Sequence, residues 1–316
     1  MPRKIIVDSD MGTDDAAALV MLLFHSDLEI LALTACEGCV SATQANNNLQ
    51  SIVTQLDPPR LPRLGMASPT ANAPAINTSF LYGADGLGNS SFPISEKQHL
   101  LPAEKVIIEC VRKNPGDVTF LCLGPATNLA NALRRDPAIA ELLGQVVMIG
   151  GSVNGVGNIS PMAEFNFFFD PYSARQIFHS RITKTLIPLD VTRQIQFGLD
   201  FLDSLPPDST RAGRLLRKIL PNAYRAYRQQ LGQEAITLND TVGSLAVIHD
   251  KLFEFEGMAG DVETDGELTR GVTVFDRRTV AEWRDNLEVA TAIDLVSAKN
   301  AMAAAFRCAG ELSRIH

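Results

Sequence analysis

The segment KIIVDSDMGTDDAAALVMLLF, residues 4–24, contains the pattern that decides the fold. The apolar run Ile5, Ile6, Val7 is followed at once by four carboxylates in eight residues, Asp8, Asp10, Asp14 and Asp15, and then by nine consecutive apolar residues, 16–24. A short β-branched run buried on both faces reads as a parallel strand. Gly12 lets the chain turn between the two acid pairs, and Asp14 and Asp15 fall at a helix start, where the dipole favours negative charge. Residues 16–24 are apolar nearly all round, as in a helix packed on a sheet. Strand, acidic turn and buried helix together predict an α/β layered fold.

The same rhythm recurs. Apolar runs at 4–7, 30–36, 118–123, 146–149 and 185–189 read as buried parallel strands, and 16–24, 43–56, 103–113 and 127–135 as helices. No linker or repeat interrupts them, so residues 1–316 are expected to form a single α/β domain with a mainly parallel central sheet flanked by helices and a Rossmann-like core. Residues 65–95, rich in Gly, Pro, Asn and Ser, read as a long surface excursion of the kind that carries function. In such sheets ligands bind beyond the carboxyl ends of the strands. The segments expected there are DSDMGTDD, CEGC, LGPATN, GGSVNGVGNISPMAEFN and DVT. They place polar and Gly-rich groups along one edge, which predicts a pocket.

Bulk properties narrow the ligand. A formal net charge of −8 argues against a nucleic-acid partner, which needs a basic surface. The nine-residue apolar run is far too short for a membrane span, and, since Arg3-Lys4 is followed at once by a short apolar stretch and then acid, no signal peptide is expected. Five cysteines without framework spacing favour a reducing compartment, so a cytoplasmic protein is expected. Four clustered carboxylates raise one another's pKa values unless a cation neutralises them. Hard oxygen donors select Ca²⁺ or Mg²⁺, and the run contains no His or Cys to favour zinc. In NISPMAEFN, residues 158–166, Asn158, Glu164 and Asn166 combine donors and acceptors in a way that suits a polyhydroxylated ligand such as a sugar. A phosphate cradle in GGSVNGVGN lacks both the P-loop lysine and GxGxxG spacing.

Taken together, these stretches resemble the nucleoside hydrolase family of the inosine–uridine-preferring type. The family's opening DxDPGxDDAxA appears as DSDMGTDDAAA, with Met11 where proline is usual. GPATN (124–128), GNISPMAEFNFFFDPYSA (157–174), GADGLG (83–88), PLDVT (188–192) and ETDGELTRGVTVFDRR (263–278) also fit. The resemblance implies the nucleoside hydrolase fold and hydrolysis of the N-glycosidic bond of ribonucleosides. It implies Ca²⁺ held by Asp10, Asp15, the backbone carbonyl of Leu123 and Asp240, with ribose hydroxyls and a water completing about eight oxygens. Asp14, Asn158, Glu164 and Asn166 would hold the ribose, Asp8 would support from behind, and Asp10 would take a proton from the attacking water. A homodimer or homotetramer acting on a nucleoside substrate is also implied.

The chain departs from the family pattern where the base leaves. A His usual before the last metal aspartate is Asn239, a second usual His is Tyr82, and the Asn that commonly follows the second strand is Cys39. Neither an amide nor a phenol of pKa about 10 is a general acid at neutral pH. Tyr82, Tyr224 and Tyr227 are candidates to stack on a purine base, with Arg225 or Arg228 as donors. Two other readings are a riboside with an intrinsically good leaving group and a catalytically weak nucleoside- or ribose-binding relative. The pair Cys36–Cys39 is expected as buried or pocket-edge thiols, with redox gating as its rival reading. DSDMGT with GDVETD (260–265) also resembles aspartyl-phosphate hydrolases, which would make Asp8 a nucleophile beside Mg²⁺. Met11 breaks that spacing and the reading leaves Asp14 and Asp15 without work.

Overall fold

The computed structural model describes residues 2–94 and 100–315. Eleven strands occur among them: β1 (Arg3–Ser9), β2 (Leu28–Ala35), β3 (Arg63–Met66), β4 (Leu101–Pro102), β5 (Val118–Cys122), β6 (Gln145–Ile149), β7 (Lys184–Ile187), β8 (Phe253–Met258), β9 (Gly260–Val262), β10 (Thr273–Phe275) and β11 (Leu287–Ile293). Nine form one sheet in the order β4-β3-β2-β1-β5-β6-β7-β11-β8, and β9 and β10 form a separate antiparallel ribbon. All neighbours in the large sheet run parallel except β8, which pairs antiparallel with β11. The expected α/β class with a mainly parallel central sheet is therefore present.

Strand periodicity divides the core into two layers. Ile5, Val7, Leu33 and Leu121 point into one apolar cluster, while Ile6, Ala32 and Phe120 point into the other. The first layer contains the helices Thr13–Leu23, Ala42–Leu56, Arg211–Ala226, Asn239–Ile248 and Leu295–Leu312; the second contains Ala103–Lys113, Thr127–Arg135 and Pro171–Phe178. Helix Thr13–Leu23 is buried on nearly every side because it lies between the sheet and three other helices of its layer. That accounts for its unbroken apolar sequence.

The five expected strands and four expected helices all occur, with the first helix starting at Thr13 rather than 16. The excursion differs from the expectation in part. It opens with β3, contains a short helix Ser79–Tyr82, and buries Leu87, so part of it packs inward. Its last expected residue, 95, lies outside the described residues.

From β1 the chain moves outward through β2, β3 and β4, then returns to place β5 on the other side of β1. The strand order thus reverses between β1 and β5, which is where an open parallel sheet leaves a crevice at its carboxyl edge. Residues 10–15 follow β1 and Leu123 follows β5, so both sit at that crevice.

Candidate active site

A cleft at this edge is lined by Asp10, Gly12, Asp14, Asp15, Cys39, Tyr82, Leu123, Ile149, Gly150, Asn158, Glu164, Phe165, Asn166, Leu189, Thr192, Asn239 and Asp240. Its walls come from the segments that follow β1, β2, β5, β6 and β7, from Tyr82 at the end of helix Ser79–Tyr82 and from the start of helix Asn239–Ile248, so distant stretches of sequence meet.

The carboxylates are held individually. Ser9 Oγ donates to Asp15 Oδ1 at 2.6 Å and the Gly12 amide to Asp15 Oδ2 at 3.0 Å. The Cys39 amide donates to Asp10 Oδ2 at 2.7 Å. Asp14 accepts from the Thr241 hydroxyl at 2.7 Å and from the amides of Asp240 and Thr241 at 2.9 and 3.1 Å. This joins the start of helix Thr13–Leu23 to the start of helix Asn239–Ile248, and so brings Asp240 to the N-terminal carboxylates across 226 residues. Gly38 and Gly124 keep the approach open. A Cβ on Gly38 would lie 2.3 Å from Asp10 Oδ2, and one on Gly124 would lie 2.5 Å from Cys36 Sγ.

Burial raises the pKa of Asp10 well above the usual carboxylate range, and the Asp15 charge adds to it. Asp240 is raised in the same direction by burial and then by Asp14, Asp15 and Asp10. Asp14 is pushed up to about 7 by burial, against the pull of the Thr241 hydroxyl. These groups repel one another, and among the described residues no Lys or Arg lines the cleft to compensate. Among the described residues no three His, Cys, Asp or Glu side chains are already gathered at metal-ligand spacing. The donor set itself, closely placed buried carboxylates and a backbone carbonyl, fits a hard divalent cation.

The residues expected to hold a sugar line the same cleft. Glu164 is buried, accepts from the amides of Gly151 and Phe167 at 3.2 Å each, and is pushed up to about 7 by burial. Asn166 Nδ2 donates to the Leu123 carbonyl at 2.7 Å, linking a residue expected to hold a sugar to the carbonyl expected to face a cation. Asn158 stands exposed at the rim. Its loop is fastened by Asp190, which accepts from the amides of Val153 and Asn154, and by Arg193, which donates to the carbonyls of Val156 and Gly157.

Asp8 lies behind the cleft rather than in it. It is fully buried, accepts from the Thr34 hydroxyl and from Asn128 Nδ2 (2.8 Å), and is pushed up to about 7 by burial. Asn128 also donates to the Ala35 carbonyl at 2.7 Å, which ties the ends of β1 and β2. A group so enclosed is no nucleophile. In GDVETD, Asp261 is engaged by Arg175 and His179 and Asp265 by Tyr172, away from the cleft. The phosphatase reading has no site here.

At the base-leaving side the expectations divide. Tyr82, Asn239 and Cys39 line the cleft. Tyr82 is half-buried, and burial and the neighbouring Tyr227 hold its phenol well above the ordinary tyrosine range. Tyr227 stands behind it with its hydroxyl at Thr237 Oγ1, 3.1 Å. Tyr224 does not reach the cleft; its hydroxyl donates to the Gly198 carbonyl at 2.7 Å. Arg225 and Arg228 are exposed, and Arg228 pairs with Glu234 at 3.4 Å instead of facing the cleft. Arg225 sits in the last turn of helix Arg211–Ala226, and Arg228 in the π turn Tyr227–Leu231 that follows it. Cys36 and Cys39 are both free and buried, and the Cys39 thiol donates to the Asp10 carbonyl at 3.5 Å.

Four contributors were not singled out individually from sequence: Thr192, Ser9, Asn128 and Thr241. Thr192 and Asn128 lie in PLDVT and GPATN, so the motif around each was a signal. The Thr192 hydroxyl donates to Asn239 Oδ1 at 2.9 Å. Ser9 and Thr241 are short hydroxyl side chains whose role appears only once the helix starts are juxtaposed.

Acid and amide groups thus gather in one cleft at the switch point of a parallel sheet, where α/β folds bind their ligands. The family model for inosine-uridine preferring nucleoside hydrolases matches residues 5–300, and the chain belongs to that family. It is 32% identical over 306 residues to the non-specific ribonucleoside hydrolase RihC of Salmonella agona, covering 96% of this chain and 98% of that one. It is 32% identical over 278 residues to uridine nucleosidase 1 of Arabidopsis thaliana, covering 87% and 82%. Among solved structures, the purine-preferring ribonucleoside hydrolase from Gardnerella vaginalis superposes with a TM-score of 0.90 at 25% identity, covering 98% of this chain and all of that one. The expected enzyme class, a hydrolase of N-glycosyl bonds, stands with the family.

Proposed function

We propose that this chain is a calcium-dependent ribonucleoside hydrolase that leans toward purine nucleosides and activates the leaving base without a histidine. The observation that carries the reading is the convergence of Asp10, Asp15, Asp240 and Leu123 with Asn158, Glu164 and Asn166 in one cleft. Bound Ca²⁺ would supply Lewis acidity toward water and the ribose hydroxyls, with Asp10, Asp15, Asp240 and the Leu123 carbonyl as its holders. Asp14, Asn158, Glu164 and Asn166 grip the ribose. Asp10 has one oxygen committed to the Cys39 amide, so the other accepts the proton of the attacking water as an oxocarbenium-like ribosyl group develops. Most of the remaining barrier reduction comes from positioning.

On the leaving-group side, burial keeps the Tyr82 and Tyr227 phenols neutral. Tyr82 serves as a face for the base rather than as an acid. Because Thr192 donates to Asn239 Oδ1, the Asn239 amino group is turned to a ligand acceptor. A stacked purine is easier to protonate at its ring, which compensates for the missing imidazole. The purine preference in the Gardnerella neighbour's name supports this direction, whereas the uridine and non-specific relatives show that the family tolerates other bases.

We also read residues 1–316 as one domain and the protein as a cytoplasmic homodimer or homotetramer. No helix among the described residues is long and apolar enough to cross a membrane. The test is ribose release from purine, pyrimidine and nicotinamide ribosides in wild type and Tyr82→Ala. Purine ribosides should lead in the wild type and lose that lead in the variant. A ranking unchanged by the substitution would remove Tyr82 from base selection.

A further inference from the structure

We infer that Asn48, a residue outside the cleft, is a positioning residue that staples the Tyr82-bearing loop onto the carboxylate loop. This deepens the reading above and rests on its assignment of Tyr82 to the base. Asn48 lies on helix Ala42–Leu56 and is 3% exposed. Its Nδ2 donates both to the Met11 carbonyl at 3.0 Å and to the Asp85 carbonyl at 2.7 Å, while Gln44 Nε2 donates to its Oδ1 at 2.8 Å. One buried amide thus satisfies a carbonyl from each of two loops, and the third contact fixes which way the amide faces.

Both loops need such a tie. Met11 is fully buried and has φ +61°, a left-handed conformation that a bulky side chain rarely adopts. Its amide is held by Ser9 Oγ at 3.0 Å and its carbonyl by Asn48, so the strained residue between Asp10 and Gly12 is anchored at both ends. The second loop is tied within itself: Asp85 accepts from the amides of Leu87 and Asn89 at 2.8 Å each, and the Gly88 amide donates to the Tyr82 carbonyl at 2.8 Å. Its attachment to the carboxylate loop runs through Asn48 and through the Thr13 hydroxyl, which donates to the Gly86 carbonyl at 3.1 Å. Asn48 alone of these two reaches the residue next to Asp10. The distance between base and carboxylates is therefore set partly by a helix that touches neither.

The test uses the full chain with Asn48→Ala, Asn48→Leu (which keeps the packing volume) and Gly86→Ala. The last attacks the docking from the loop side, since a Cβ there would lie 2.6 Å from Val40 Cγ1 in a residue at φ +76°. Hydrogen exchange should quicken at least about tenfold over residues 80–90 while the peptide covering β1 keeps its protection. KM for a purine riboside should rise about tenfold, and that rise should vanish when the same substitutions are made in a Tyr82→Ala background. Unchanged exchange over 80–90 in all three variants, or losses that simply multiply with Tyr82→Ala, would overturn the staple. Faster exchange with a Tyr82→Ala variant of normal KM would uphold the staple and remove Tyr82 from the base instead.

Discussion

Asp10 accepts the Cys39 amide on one oxygen and lies against Asp15, so it combines a fixed orientation with a raised pKa. Asp10→Ala should lower kcat about 10²- to 10⁴-fold while circular dichroism shows an intact fold; a near-wild-type rate would end its assignment as base. Glu164 gives a stability test. Its folded pKa, about 7, lies above the ordinary value of 4.5 because burial disfavours the charged form. Its contribution is therefore complete below about pH 4.5 and is lost as pH rises through about 7. In chelator, the melting temperature should fall between pH 5 and 8, and Glu164→Gln should flatten that decline. An identical slope in the variant would place the titration elsewhere. Asp10, Asp14 and Asp15 were legible as a cation or sugar site because four carboxylates in eight residues have few other uses. Arg228 was misread because a helical spacing does not reveal the π turn in which it stands exposed.

At the scale of elements, the site depends on how closely turns can approach. The segment after β2 passes against Asp10, and Gly38→Ala would set a methyl 2.3 Å from Asp10 Oδ2. A displacement of that size should cost about 10²-fold in kcat with little change in thermal stability, measured by steady-state kinetics beside a melt. A stability loss with an unchanged rate would show that Asp10 is held elsewhere. The interior strands were readable because burial on both faces leaves continuous apolar runs. The missed strands lack that signature. β3 and β4 have four and two residues, and β4 ends in a proline. β8 at the sheet edge and β11 beside it show exposed or half-buried positions among buried ones, in FEFEGM and LEVATAI. Asp240 could be tied to the N-terminus from sequence by resemblance alone, since the bonds that join the two helix starts pass between residues 226 positions apart.

For the whole molecule, a net charge of −8 and a cleft of repelling carboxylates make cation binding and stability one question. A ligand at a hundredfold excess over its Kd stabilises by about 2.7 kcal/mol, so Ca²⁺ should raise the melting temperature of chelated protein by a few degrees and Asp240→Ala should abolish the rise. The central claim is tested most directly by measuring ribose release from inosine and uridine with Ca²⁺ and with excess chelator. The account predicts turnover with Ca²⁺, loss of it in chelator and recovery on adding Ca²⁺ back. Equal rates in both, or ribose release from neither nucleoside while nucleoside binding persists, would contradict it.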